Sequence, residues 1–190
     1  FIGCSSLTLG HGSTLYSQAC SVNVTISNSI STIGPHAMYG CTDVVSLIIP
    51  DSVTTISEYA FSSCKNLVSA KIPDSVTSVG QYAFSQDRSL TLLSIPDSLT
   101  TLPTGMCHSC SSLVSLVIPN SVTSIASCFG CECSKLTSLT IGNSVQSIGN
   151  SCFSGCTSLV AVTLPDSVTN LAYQAFRNCP NLKSINIPNS

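Results

Sequence analysis

The sequence predicts an α/β repeat solenoid, a stack of equal coils with a parallel main sheet, short second strands and one-turn helices. A motif of the form L-x-x-L-x-I-P-[DN]-S-V returns every 23 residues without an insertion. A fixed period between about 20 and 50 residues is typical of solenoids, in which each repeat buries its apolar side only against its neighbours. The apolar positions and half of the cysteines keep the phase of this motif. The proline place is occupied by Pro50, Pro73, Pro96, Pro119, Gly142, Pro165 and Pro188.

Each repeat begins with a main strand. In one repeat, Leu113, Leu116 and Ile118 are aliphatic and Pro119 follows them. Apolar residues two positions apart, many of them β-branched, are typical of a short strand with one buried face. Proline is compatible with the end of such a strand, because further inside it would remove a ladder hydrogen bond. We therefore expect the strands of successive repeats to form the main sheet.

A corner and a second strand come next. Proline presets φ in the Pro-Asp-Ser or Pro-Asn-Ser corner, and the Asx side chain is expected to bond back to the turn. The alternation from Val122 to Ile125 is too short for a helix and predicts a narrow second strand. Carboxylates at successive corners also suit Ca²⁺, although plain Asx turns explain this row without a metal. The row consists of Asp51, Asp74, Asp97, Asn120, Asn143, Asp166 and Asn189.

The last part of each repeat, as in Tyr82-Ala83-Phe84, is predicted to form one helical turn with the phenylalanine pointing inward. Like side chains of successive coils would then stack about 4.8 Å apart in rows down the core. Two repeats depart from this pattern. Gly130 stands in the phenylalanine place with Phe129 one position early, and Cys107 takes that place in the repeat before. We expect local irregularity there without loss of the coil.

Six of the 12 cysteines share one phase of the repeat, in which Asp87 is the single substitute. A residue that keeps the repeat phase is best explained by packing, so a row of reduced, buried thiols is the favoured interpretation. Disulfides between adjacent coils are an alternative, because the spacing of the Cα atoms allows them. A zinc site at Cys128, Cys131 and Cys133, with Cys152 and Cys156 one coil on, is a further alternative. The six in-phase residues are Cys41, Cys64, Cys110, Cys133, Cys156 and Cys179.

Composition and motifs argue against several classes of function. Charged residues make up 7% of the chain and the net charge is −2, so nucleic-acid binding is not expected. Direct membrane insertion is not expected either, because Ser, Thr, Asn and Gly interrupt the longest uncharged run, from Leu136 to Pro165. No cofactor-binding motif occurs. Cys107 and His108 are neighbours in sequence, but a nucleophile and its base must meet in space. We therefore predict neither an enzyme nor a cofactor, and no metal ligands are assigned.

Units of the form C-x-x-L-x-S-L-x-I-P-x-S-V-T-S-I-G-x-x-A-F resemble the BspA-like leucine-rich repeats of bacterial and protist surface proteins. The resemblance implies a right-handed leucine-rich solenoid on a secreted or surface-anchored protein. It also implies adhesion to host cells or extracellular matrix proteins, so a protein ligand is the expected partner. An intracellular scaffolding solenoid is the alternative. The resemblance does not indicate an oligomeric state.

The chain is predicted to be a single solenoid domain over residues 1–190. Residues 1–21 are assigned to irregular or truncated N-terminal units, and residues 22–190 to regular repeats. Both ends fall inside a repeat, so we expect the chain to be part of a longer protein.

Ligand recognition is expected on the outward side of the main strands. Aromatic residues and arginine, the usual interface anchors, are absent there, so binding should be weak, broad and multivalent. Asn23, in the triplet Asn23-Val24-Thr25, is a possible glycosylation site. The candidate binding face comprises Ser46, Ile48, Ser69, Lys71, Leu92, Ser94, Ser115, Val117, Ser138, Thr140, Thr163 and Asn186.

Overall fold

The computed structural model describes residues 23–188 and has the predicted solenoid of about seven coils. The irregular N-terminal units assigned to residues 1–21 lie outside these residues. Each coil contributes one main strand of three residues, and the outer rows of this sheet flank a buried central residue. The main strands are β1 (Asn23–Thr25), β3 (Ser46–Ile48), β5 (Ser69–Lys71), β7 (Leu92–Ser94), β9 (Ser115–Val117), β11 (Ser138–Thr140), β13 (Ala161–Thr163) and β15 (Ser184–Asn186).

A second, two-residue strand follows each corner, as predicted. The second strands are β2 (Thr32–Ile33), β4 (Thr55–Ile56), β6 (Ser78–Val79), β8 (Thr101–Leu102), β10 (Ser124–Ile125), β12 (Ser147–Ile148) and β14 (Asn170–Leu171). All strand pairs in residues 23–188 are parallel, and each residue pairs with the one 23 positions later, as Ser124 does with Ser147. Main strands β1 to β11 form one sheet and β13 pairs with β15; the second strands form sheets of three and four.

The prediction of one-turn helices is wrong, because residues 34–41 and the corresponding residues of the other described coils contain no helix. Two places in every coil have positive φ, as at Tyr82 (56°) and Gln86 (61°), which interrupts right-handed helix. Backbone N–H groups in this segment alternate between two kinds of partner. Met38 donates to Ala60 O of the next coil at 2.7 Å, whereas Tyr39 donates to His36 O within its own coil at 3.1 Å. The segment is therefore a series of turns that backbone hydrogen bonds connect to the next coil.

Aromatic side chains fill the core where the phenylalanine row was predicted. Phe61 and Phe84 stack with ring centroids 5.1 Å apart, and Phe153 stacks on Phe176 at 5.6 Å. Phe129, one position early, meets Phe153 edge to face at 6.2 Å. A Cβ at Gly130 would lie 3.2 Å from the Phe153 ring, so the glycine makes room for the phenylalanine of the next coil. The irregular coils therefore keep a filled core, as expected.

Serine and threonine hydroxyls join successive coils. The corner serine donates to a backbone carbonyl of the coil before it, as Ser75 Oγ does to Val53 O at 2.7 Å and Ser121 Oγ to Leu99 O at 2.8 Å. Of the Asx residues, Asn120 accepts through Oδ1 from the N–H of Asn143 in the next coil at 2.9 Å. Inter-coil bonding at the corners therefore involves both serine and asparagine side chains.

Candidate interaction surface

The candidate binding face predicted from the sequence is the outward surface of the main sheet. Ser46 and Ser115 are half-buried there, and the other ten predicted residues are exposed. Three aliphatic side chains stand out: Ile48, Leu92 and Val117 are 57%, 56% and 56% exposed. Leu92 pairs with Ser115, so it is a diagonal neighbour of Val117 across the β7/β9 ladder. The face is thus uncharged over most of its area, with aliphatic side chains among hydroxyl groups.

A row of valines runs beside this face, at the residue before each main strand. Its valine members are between 37% and 48% exposed, and they are Val45, Val68, Val114 and Val160. Thr91 and Thr137 occupy the same row in other coils and are also exposed. Threonine satisfies the strand preference for β-branched side chains equally well. Strand propensity alone therefore does not require an apolar side chain at these exposed positions.

A groove of about 490 Å³ opens at the end of the face between β3 and β5. Its walls include the apolar side chain of Ile48, the cation of Lys71, and the carboxylates of Asp51 and Asp74. The small Ala70 replaces leucine in the core row beneath this part of the sheet. The groove therefore offers apolar contacts, of which Ile48 is the most exposed, and both signs of charge to a side chain of a ligand.

Two asparagines lie in the first and the last of the main strands. Asn23 is exposed in β1, where it pairs with Ser46. Asn186 is committed to the backbone: its Oδ1 accepts from Leu164 N–H at 2.7 Å and its Nδ2 donates to Leu164 O at 3.0 Å. Asn186 was included in the candidate face, but these bonds occupy its amide.

An aromatic strip, which the sequence reasoning missed, lies on the turn segments away from the main sheet. His36 stacks on Tyr59 at 5.0 Å, and Tyr59 stacks on Tyr82 at 5.1 Å. Tyr82 also covers Gly105, where a Cβ would lie 2.1 Å from its ring. Burial raises the pKa of Tyr82, and nearby Tyr59 and Cys128 add to the effect. The signal was present in the sequence, since these residues recur at the 23-residue period.

The in-phase cysteines form what we call the thiol row: Cys64, Cys110, Cys133, Cys156 and Cys179, with Asp87 in the same row. Each thiol donates to a backbone carbonyl 26 residues earlier, as Cys110 Sγ does to Phe84 O at 3.0 Å and Cys133 Sγ to Cys107 O at 3.3 Å. Burial raises the pKa of the Cys64 and Cys156 thiols, with nearby charges adding to it. These five thiols are free, as the reduced interpretation requires. At Cys41 that interpretation is wrong, because Cys41 is disulfide-bonded.

Asp87 is buried in the thiol row between Cys64 and Cys110. Its Oδ1 accepts from the N–H of Cys64 at 2.8 Å, but its Oδ2 has no hydrogen-bond partner. Burial raises the pKa of Asp87 well above its usual range, and the bond from Cys64 offsets only part of the effect. Burial therefore favours the neutral form of this carboxyl over the charged form.

A second group of polar residues, which we call the side cluster, lies on the turn segments of two adjacent coils. It comprises His108, Cys128, Cys131 and Glu132. One ligand atom each from His108, Cys131 and Glu132 lies within 4.8 Å of the other two. Cys128 belongs to the same turn as Cys131, whose N–H donates to Cys128 O at 3.3 Å. Of the five cysteines considered for zinc, Cys133, Cys152 and Cys156 are instead buried in the core.

The repeat pattern and the coil geometry agree with a family model. The model for the BspA-type leucine-rich repeat region matches six copies over residues 12–130 and 126–190. The chain belongs to the BspA-type leucine-rich repeat family. Leucine-rich repeats form extended surfaces that commonly bind other proteins. A search of the curated proteins finds no match.

Solved structures of leucine-rich repeat proteins share this fold. The T. pallidum leucine-rich repeat protein is 30% identical, with a TM-score of 0.82 over 86% of this chain and 79% of that one. A leucine-rich repeat protein from Bacteroides ovatus is 25% identical, with a TM-score of 0.63 over 86% of this chain and 54% of that one. A leucine-rich cell surface protein from Faecalibacterium prausnitzii is 26% identical, with a TM-score of 0.55 over 87% and 53%. The chain thus spans about half the length of the last two.

Residues 23–188 form no helix with the length and hydrophobicity that crossing a membrane requires.

Proposed function

We propose that this chain is the recognition part of a secreted or cell-surface protein and binds protein ligands on host cells or in the extracellular matrix. The observation that carries the proposal is the exposed aliphatic surface on the main sheet, led by Ile48, Leu92 and Val117. Leu92 and Val117 are diagonal neighbours on this surface, and adjacent apolar side chains on an otherwise polar surface are typical of protein-binding sites. The surface location rests on the family and on the relative described as a cell surface protein.

The chemistry of this face favours a protein ligand over other classes. The 12 residues of the candidate face include one charged side chain, Lys71, so the face lacks the positive charge that a nucleic acid or an anionic lipid surface requires. The groove beside Lys71 has an apolar wall and two carboxylates, which suits a long side chain with a cationic end. No catalytic role is proposed.

Binding through this face is expected to be weak for one molecule and strong for an array. The aliphatic side chains are small and separated by serines, and the face lacks the tryptophan, tyrosine and arginine that dominate tight interfaces. Weak contacts gain strength when several copies bind the same surface, because the later binding events become intramolecular.

The test compares monomeric chains with chains displayed on a tetravalent carrier, using immobilised laminin and collagen as probes. The triple variant Ile48→Thr, Leu92→Thr and Val117→Thr should reduce binding of the tetramer by at least about tenfold, since it removes the apolar contacts. The control variant Leu171→Thr and Tyr173→Thr changes exposed apolar residues away from the main sheet and should leave binding unchanged.

Two results would contradict the proposal. Equal loss in both variants would show that the main sheet is not the binding face. Submicromolar binding by the wild-type monomer would rule out a multivalent mechanism. Circular dichroism of each variant establishes that a loss of binding is not a loss of fold.

A further inference from the structure

We propose that the side cluster is a zinc site, with His108, Cys131 and Glu132 as ligands and Cys128 as the fourth. Zinc in proteins is bound by cysteine sulfur, histidine nitrogen and carboxylate oxygen, most often four in number. The nitrogen, sulfur and oxygen atoms of the first three residues already lie within 4.8 Å of one another. Around a tetrahedral zinc ion such atoms are roughly 3.5 Å apart, as follows from metal–ligand distances of about 2.0–2.3 Å. Side-chain rotations that bring these three atoms about 1 Å closer together, and that turn the Cys128 thiol toward them, would complete the site.

The backbone of the solenoid brings these residues together. His108 and Cys131 are 23 residues apart and hold the same place in adjacent coils, as do Ser109 and Glu132. Ser109 N–H donates to Cys131 O at 2.7 Å, which fixes the two coils at this point. Cys128 belongs to the turn that carries Cys131, because Cys131 N–H donates to Cys128 O at 3.3 Å. Three of the ligands thus come from one turn and the fourth from the neighbouring coil.

Ser109 orients two of the ligands. Its hydroxyl donates to Glu132 Oε2 at 2.8 Å and lies 3.2 Å from His108 Nδ1. This arrangement leaves His108 Nε2 and Glu132 Oε1 available for a metal ion. Outer-shell partners of this kind fix the ring and carboxylate orientations of zinc ligands in proteins.

The repeat phase does not explain these residues. Other coils have tyrosine, serine or arginine in the row of His108 and Cys131, and glycine, serine, glutamine or asparagine in the row of Glu132. Since the other coils pack with these residue types, packing does not require a metal-binding side chain in either row. Cys131 is half-buried and Glu132 is exposed, so neither fills the core as the thiol row does. Three metal-binding residue types therefore coincide in space where the fold does not require them.

The ligand types select zinc over calcium. Calcium binds oxygen ligands, usually six to eight of them, whereas this site offers one carboxylate. Imidazole and thiolate are preferred by zinc and related transition metals. The site lies on the turn segments, away from the proposed binding face, so zinc would tie two coils together without covering the main sheet.

The experiment titrates the whole purified chain with Zn²⁺ under anaerobic conditions and without a reductant, so that the Cys41 disulfide stays intact, and measures affinity by competition with a chromogenic chelator. One zinc ion per chain is expected. Cys131→Ser and His108→Asn should each weaken binding by more than the 10–100-fold typical of an outer-shell change, and Ser109→Ala should fall within that range. Cys179→Ser, which removes another half-buried thiol, is the matched control and should bind as the wild type does.

Substitution with Co²⁺ provides a second readout. A tetrahedral site with thiolate ligands gives visible d–d absorption and a sulfur-to-cobalt charge-transfer band, and the latter should weaken in Cys128→Ser and in Cys131→Ser. The proposal is overturned if the wild type binds no zinc, if Cys131→Ser binds as tightly as the wild type, or if the cobalt spectrum lacks the charge-transfer band. Melting temperatures without metal show whether each variant folds.

Discussion

Cysteine has different surroundings in the thiol row and in the side cluster, although the two groups adjoin in sequence. Cys133 is buried, and its thiol donates to the backbone carbonyl of Cys107 at 3.3 Å. Cys131, two residues earlier, is half-buried and lies near His108 and Glu132 on the turn segments. Most coils have a cysteine at the position of Cys133, whereas only one has a cysteine at the position of Cys131. In a repeat protein, a side chain that recurs at the same position of successive coils is explained by the packing of the coil. A side chain that occurs in one coil alone is available for another role, such as binding a metal ion.

The interior rows should dominate stability, and the phenylalanine row most of all. Phe84→Ala is expected to lower the free energy of unfolding by about 3–5 kcal/mol, because it removes a buried ring and leaves a cavity beside Phe61. Urea denaturation followed by circular dichroism measures the change. Tyr173→Ala, at a side chain that is 74% exposed, is the control and should alter stability by less than about 0.5 kcal/mol. Equal effects at the two positions would mean that the phenylalanine row is not the core of the coil.

Asp87 provides a second test of the thiol row, because it occupies the position at which other coils have a buried cysteine. Asp87→Cys should stabilise the chain at neutral pH by about 1–3 kcal/mol, since it removes an unsatisfied buried oxygen. Cys64 N–H would keep a partner, because it also donates to Phe61 O at 3.3 Å. The new thiol would have Phe61 O as its acceptor, by the 26-residue pattern of the row. Thermal and urea denaturation measure the gain, with the exposed Asp97→Cys as the control.

The same substitution predicts a dependence on pH. Burial raises the pKa of Asp87 in the folded chain above that of the unfolded chain. Below the pKa of the unfolded chain, about 3.9, the acid is neutral in both states, so its ionisation does not change the free energy of unfolding. As pH rises toward the folded pKa, the unfolded chain alone loses the proton, so the wild type loses stability. The advantage of Asp87→Cys should therefore widen between pH 4 and pH 7. A constant difference over this range would show that Asp87 ionises normally in the folded chain.

The sequence predicted the parts of the fold that repeat as simple alternations. Leu113, Leu116 and Ile118 indicated a main strand with one buried face, and the strand is present at Ser115–Val117. The displacement of Phe129 was also visible, because Gly130 stood in the expected place. Period and polarity suffice for such features, since burial of one face every 23 residues leaves few alternatives.

The turn segment could not be predicted in the same way. Tyr82-Ala83-Phe84 suits a helical turn by composition, but Tyr82 has φ of 56°, a conformation that only glycine signals clearly in a sequence. Inter-coil hydrogen bonds fix this conformation, and they depend on the neighbouring coil. The side cluster was predicted only in part for a related reason: Cys128 and Cys131 were considered as zinc ligands, but His108 and Glu132 were not. The 23-residue spacing of His108 and Cys131 was available, but only the turn geometry shows that their side chains converge with Glu132.

Chemical labelling gives the last prediction, which has little effect on stability and distinguishes the two groups of thiols directly. In metal-free folded protein, iodoacetamide should modify the half-buried Cys128, Cys131 and Cys179 before the buried Cys133, because the reagent needs an accessible thiolate. Zinc should then protect Cys128 and Cys131, whose thiolates would be bound, and leave Cys179 reactive. Cys128, Cys131 and Cys133 lie on one tryptic peptide, residues 89–135, so tandem mass spectrometry that fragments this peptide measures the rate at each thiol. Labelling of Cys133 as fast as Cys131 would contradict the buried thiol row, and equal protection of Cys179 would place zinc outside the side cluster. Because Cys179 also donates to a carbonyl, Phe153 O at 3.3 Å, it separates the effect of a thiol hydrogen bond from the effect of a metal.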